Sequence, residues 1–182
     1  SAVRPLGSTF KIVPYAAALM DGVQLSDKFD DLPTCWEDYC PKNFSEKYQG
    51  KISLIESFKT SSNIIPLKIA NDIGLKNIIK LANLFGLGYE QTLGEFLPLA
   101  IGSYGDNLLN ITNAYGAINS NGNLYKTSVI EKIESKNYEL IWKNKFIHKN
   151  VLPPKVNKAL NKLLEKSVSE GTAIAASTKG KK

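Results

Sequence analysis

The 182-residue sequence has only two cysteines and one histidine. Cys35 and Cys40 flank Trp36-Glu37-Asp38-Tyr39, and two sulfurs with no histidine nearby argue against a zinc site. Either a local disulfide in an oxidising compartment or two free thiols fits that spacing. His148 lies in a Lys/Asn-rich stretch and reads as a surface residue. No uninterrupted apolar run approaches the ~20 residues needed to span a bilayer. Ser1-Ala2-Val3-Arg4-Pro5 carries no signal peptide, so an export or anchoring segment is expected upstream if the protein works outside the cytoplasm. Repeats and low-complexity tracts are absent, apart from the basic tail Lys179-Gly180-Lys181-Lys182. Aromatics are not interleaved with arginine as base-stacking surfaces require. The net charge of +6 therefore reads as a lysine-rich solvated face, with no nucleic-acid partner. Gly86-Leu87-Gly88 lacks the strand context of a dinucleotide fingerprint, and neither a cofactor nor a metal is expected.

What is present is an ordinary globular composition, 43% apolar and 22% charged, enough for one domain with a real core. Helical spacing predicts a helix over residues 8–20, started by Gly7-Ser8-Thr9 and stopped at Gly22. Residues 23–50, rich in Asp, Pro and aromatics, read as a long irregular loop of the kind that is functional or covers something. Further helices are predicted over 54–59, from the Ser61-Ser62-Asn63 break to residue 71, over 75–85, and over 107–118. Residues 127–134 and 138–142 read as a β-hairpin, expected to pack on the helices or on strands outside the sequence. Val156, Leu160, Leu163, Leu164 and Val168 make one apolar face of a last helix that stops at Gly171. Trp36 and Trp142 read as packing residues.

Two short segments carry chemistry. In Arg4-Pro5-Leu6-Gly7-Ser8-Thr9-Phe10-Lys11, the serine and the lysine three residues on share one helical face. A serine hydroxyl is a weak nucleophile without a neighbouring base, and a lysine serves when burial lowers its pKa. The bland alternative is an N-cap followed by an exposed lysine. In the second segment, Ser61-Ser62-Asn63, small polar residues break an apolar helical pattern. Ser61 can relay a proton and the Asn63 amide can bond a peptide backbone, although an ordinary helix cap reads the same way.

Together and in this order, the two segments resemble the serine penicillin-recognising proteins, which use Ser-x-x-Lys, Ser-x-Asn and then a Lys-Thr-Gly strand. Arg4 through Tyr15 looks like the first box of class A, bifunctional penicillin-binding proteins. Tyr39-Cys40-Pro41-Lys42-Asn43-Phe44 and Tyr48-Gln49-Gly50 are similar to the loop before their second box. Leu99 through Tyr125 resembles their downstream helix-and-turn segment, and Glu170-Gly171-Thr172-Ala173 the stretch before the third box. The resemblance implies an α+β, β-lactamase/DD-transpeptidase-like fold, represented here by its helical part and a small hairpin. It implies Ser8 as acylated nucleophile, Lys11 as base, Ser61 as proton shuttle and Asn63 as substrate-orienting amide. The implied partners are peptidoglycan stem peptides ending in D-alanyl-D-alanine and β-lactam antibiotics that mimic them. The implied place is the extracytoplasmic face of the plasma membrane (the periplasm), anchored by an N-terminal segment outside this sequence.

No Lys-Thr-Gly, Lys-Ser-Gly or His-Thr-Gly occurs in the sequence, and the tail 178–182 falls where the family's third strand is about to begin. Residues 1–182 are therefore expected to be a single partial transpeptidase domain, cut at both ends and missing central strands. Such a piece is expected to be poorly stable alone and inactive, since one oxyanion donor is worth ~3 kcal/mol. A β-lactamase or β-lactam sensor shares the same boxes, and a non-catalytic scaffold is the alternative from another class.

Overall fold

A computed structural model describes residues 2–88 and 93–177; the basic tail lies outside them. Its centre is helix α1 (Ile12–Met20), buried from Ile12 through Ala18. That segment contains no charged residue, and Ala16, Ala17 and Ala18 let neighbouring helices approach closely. Pro14 falls in the first turn of α1, the part of a helix that tolerates proline best. Helices α3 (Ile64–Ile73), α4 (Leu75–Leu84) and α6 (Pro154–Glu170) pack on α1, while α2 (Leu54–Lys59) packs on α6. Val156, Leu160 and Leu163 of α6 are buried, as their spacing predicts. Helix α5 (Leu108–Asn119) starts at Asn107, whose side chain accepts the Asn110 N–H at 2.8 Å.

The strands form four separate two-stranded antiparallel ribbons among the described residues, and no larger sheet. β1 (Val3–Pro5) pairs with β4 (Gly105–Asn107), and β2 (Lys28–Asp31) with β3 (Gly50–Ser53). β5 (Asn123–Tyr125) pairs with β8 (His148–Asn150), and β6 (Lys132–Glu134) with β7 (Leu140–Lys143). The architecture is the expected α+β arrangement.

Four sequence readings need correction. Residues 23–50 are not one irregular loop: Lys28–Asp31 pairs with Gly50–Ser53, leaving 32–49 as the connection. The residues of β2, Lys-Phe-Asp-Asp, have little strand propensity, and the pairing is set from a distance. The first helix begins as a 3-10 turn (Gly7–Lys11), with no side-chain cap. The 127–134/138–142 hairpin is shorter than expected, and all seven residues of β6 and β7 are exposed, so it does not pack on the helices. Trp142 goes with it, 45% exposed, whereas Trp36 packs against the core. Cys35 and Cys40 form a disulfide that closes a tight turn, with Trp36 and Tyr39 exchanging backbone hydrogen bonds. His148 is exposed, its ring 5.0 Å from that of Tyr125.

Candidate active site

The 3-10 turn that carries Ser8 hangs from the ribbon β1–β4. Leu6 N–H donates to the Tyr104 carbonyl and Gly7 N–H to the Gly102 carbonyl, both at 3.0 Å. The Phe10 ring meets that of Tyr104 edge-on at 5.1 Å, and Tyr115 Oη donates to the Thr9 carbonyl at 3.0 Å. Burial raises the Tyr115 pKa to about 12, so the phenol stays a donor. Ser8 N–H has no backbone acceptor among the described residues.

Lys11, one helical turn further, is 3% exposed, so it is not the solvated lysine of the bland reading. Its Nζ lies 2.7 Å from Asn63 Oδ1, 2.8 Å from the Ser61 carbonyl and 3.1 Å from Ser61 Oγ. Ser61 Oγ in turn lies 3.2 Å from Ser8 Oγ. Ser8 and Lys11 therefore communicate through Ser61, and no direct hydrogen bond joins them. Desolvation lowers the Lys11 pKa to about 8. At that value roughly a tenth of the side chain is neutral amine at pH 7.

The second segment is shaped by the way α2 ends. Ser61 N–H donates to the Phe58 carbonyl and Ser62 N–H to the Ser57 carbonyl, a Schellman closure. Helices α1 and α4 close by the same bonds, with Gly22 and Gly86 in the left-handed position. In α2 that position is Ser61, with φ +56°. A side chain there costs on the order of 1 kcal/mol. Glycine would remove the cost and also the hydroxyl that bridges Lys11 and Ser8.

Asn63 precedes α3 but does not cap it with its side chain. Its Oδ1 accepts from Lys11 and its Nδ2 donates to the Lys42 carbonyl at 2.7 Å, which leaves one Nδ2–H uncommitted. Since the lysine donates, its position fixes which way the amide points. The connection 32–49 therefore reaches the site through Lys42, and also through Asn43, whose Oδ1 accepts the Asn63 N–H at 2.8 Å. In the sequence Asn43 stands out only as part of a longer pattern, and nothing local marks its contact with Asn63. On the other flank the stretch after α6 docks on α2, with Thr172 N–H donating to the Lys59 carbonyl at 3.1 Å. Lys59 pairs with Glu56 at 3.0 Å and Glu170 at 3.8 Å. Among the described residues, no group of three or more His, Cys, Asp or Glu could hold a metal ion.

A buried lysine and two serines converging on one point, carried by this α+β scaffold, define a domain with the fold of the penicillin-recognising transpeptidases. Residues 1–182 match the penicillin binding protein transpeptidase domain throughout, and the chain belongs to that family. It is 30% identical over 148 residues, 78% of its length, to penicillin-binding protein 1A of Rickettsia prowazekii. It spans 19% of that relative's length. In fold it superposes on penicillin-binding protein 1A of Haemophilus influenzae with a TM-score of 0.88 at 21% identity, over 97% of this chain and 33% of that one. It also superposes on penicillin-binding protein A of M. tuberculosis, solved as an imipenem acyl-enzyme complex. There the TM-score is 0.83 at 20% identity, over 92% of this chain and 44% of that one.

Proposed function

We propose that this chain is the nucleophile-bearing part of the transpeptidase domain of a class A, bifunctional penicillin-binding protein, a D,D-transpeptidase that cross-links peptidoglycan. The observation that carries the reading is the relay Lys11 Nζ–Ser61 Oγ–Ser8 Oγ, with contacts of 3.1 and 3.2 Å. When Lys11 is neutral, its two N–H bonds satisfy the Ser61 carbonyl and Asn63 Oδ1, and its lone pair faces Ser61 Oγ. Ser8 then passes its proton to Ser61 Oγ as the Ser61 proton moves to Lys11.

Ser8 Oγ attacks the carbonyl carbon of the penultimate D-alanine of a stem peptide. The developing oxyanion takes the free Ser8 N–H at the helix start. Collapse breaks the peptide bond, and the departing D-alanine nitrogen recovers a proton through Ser61 from Lys11. A second stem peptide's amine attacks the resulting ester, loses its proton along the same route, and frees Ser8. The uncommitted Asn63 Nδ2–H donates to the substrate backbone. A β-lactam follows the first half only and leaves Ser8 acylated.

The second oxyanion donor, the Lys-Thr-Gly strand and the rest of the central sheet come, in this proposal, from parts of the protein outside these 182 residues. The same holds for the glycosyltransferase domain and the membrane anchor. No described helix is long and apolar enough to cross a membrane. The Cys35–Cys40 disulfide fits the oxidising, extracytoplasmic side of the plasma membrane, where the stem peptides are. Stoichiometric attachment of a penicillin to Ser8 is the test.

A further inference from the structure

Asp31, at the end of β2, is fully buried. No lysine, arginine or histidine nitrogen lies within ion-pair distance of it among the described residues. A buried carboxylate without a counter-charge is costly unless hydrogen bonds satisfy it, and a neutral residue would fold here more easily. What holds it is a set of donors from the second catalytic segment and the loop beside it. Ser62 Oγ donates at 2.8 Å, Gln49 N–H at 2.9 Å, and Asn43 Nδ2 to both carboxylate oxygens at 3.1 Å.

Each donor leads to the site. Ser62 stands between Ser61 and Asn63, and its N–H makes one of the two bonds that close α2 with Ser61 in the left-handed conformation. Asn43, oriented by Asp31 through its Nδ2, turns its Oδ1 to the Asn63 N–H at 2.8 Å. Asn43 and Gln49 pin the two ends of residues 43–49 to Asp31, and Asn43 so anchors the neighbouring Lys42, whose carbonyl holds the Asn63 amide.

We propose that Asp31 is a positioning residue for acylation. Its buried carboxylate clamps Ser62 and Asn43, and so fixes Ser61 and Asn63 at hydrogen-bonding distance from Lys11. The inference rests on the transpeptidase reading. Asp31→Asn is its sharpest probe, because it keeps the volume and puts an NH2 group where only acceptors fit. Rates depend steeply on such placement, whereas the first, noncovalent complex with a penicillin draws on the clamped groups only through the single hydrogen bond from Asn63 Nδ2.

The experiment measures penicillin acylation of the full-length gene product, separating the affinity of the first complex from the acylation rate constant. Ile118→Ala, in the core at α5, is the control for general destabilisation. Asp31→Asn is expected to slow acylation about tenfold to a hundredfold with affinity changed less than about threefold, while Ile118→Ala leaves the rate within about twofold. Ser62→Ala, which removes one donor only, is expected to slow it less and serves if Asp31→Asn does not fold. Amide hydrogen exchange at Ser62 and Asn63 supplies a readout independent of chemistry, expected to be faster in Asp31→Asn than in Ile118→Ala. An unchanged acylation rate in folded Asp31→Asn, or in Ser62→Ala if it must stand in, overturns the inference. If the wild type itself takes up no penicillin, the transpeptidase reading fails, and exchange decides: unchanged protection at these two amides overturns the clamp.

Discussion

Gly102 and Gly7 touch backbone to backbone: a Cβ added to Gly102 would lie 2.0 Å from the Gly7 carbonyl oxygen and 2.6 Å from its nitrogen. Gly102 also holds φ +80°, and its carbonyl receives the Gly7 N–H. The turn that carries Ser8 is therefore seated on a glycine whose side chain would occupy the place of the next peptide.

Gly102→Ala is accordingly expected to cost about 3 kcal/mol of stability, since both the left-handed backbone and the close approach penalise it. Denaturant unfolding of the full-length gene product checks this. A loss under about 1 kcal/mol would mean that the two backbones separate easily.

On the proposed mechanism Lys11 sets the pH dependence. Burial holds its pKa at about 8, below the ordinary lysine value of 10.5, so acylation is expected to rise with pH around a midpoint near 8 as neutral amine appears. The sign for stability follows from the same shift. Between about 8 and 10.5 the unfolded chain binds the proton more tightly, so the folded protein gains stability as pH rises through that window, up to about 3 kcal/mol. Lys11→Met is expected to abolish both effects, measured as pH–rate and pH–stability profiles. A wild-type rate flat between about pH 6 and about pH 9 would remove Lys11 from the base role.

The Cys35–Cys40 disulfide closes the turn that precedes Lys42 and Asn43. Its removal in a Cys35→Ser/Cys40→Ser double variant is expected to lower stability by about 2 kcal/mol, the loop-entropy value for so short a ring. It is also expected to speed exchange at the Asn63 N–H. Equal stability of the oxidised protein and the variant would show that the bond constrains nothing.

Much of this was legible from the residues. Helix α6 could be read from the spacing of Val156, Leu160 and Leu163, and the breaks at Gly22 and Gly86 from the residues that favour left-handed backbone. The α2–α3 break was visible because Ser61-Ser62-Asn63 interrupts an apolar pattern, but its form was not, since a serine in the glycine position of a helix closure has no local signature. Asp31 lacks a local signature for a related reason. In Lys-Phe-Asp-Asp nothing marks one aspartate as buried, because its burial comes from pairing with Gly50–Ser53 and from donors 12 to 31 residues away in sequence. The same pairing hid β2 inside what reads as a loop. The hairpin reads as packed on the helices or on strands outside the sequence, yet the ribbon β6–β7 stands clear of the helices, every one of its residues exposed.

Mass spectrometry of the full-length gene product after incubation with a penicillin tests the central claim most directly. A single adduct of one penicillin on the peptide containing Ser8, absent in Ser8→Ala and strongly slowed in Ser61→Ala, is the predicted result. No adduct, or one that persists in Ser8→Ala, would contradict it.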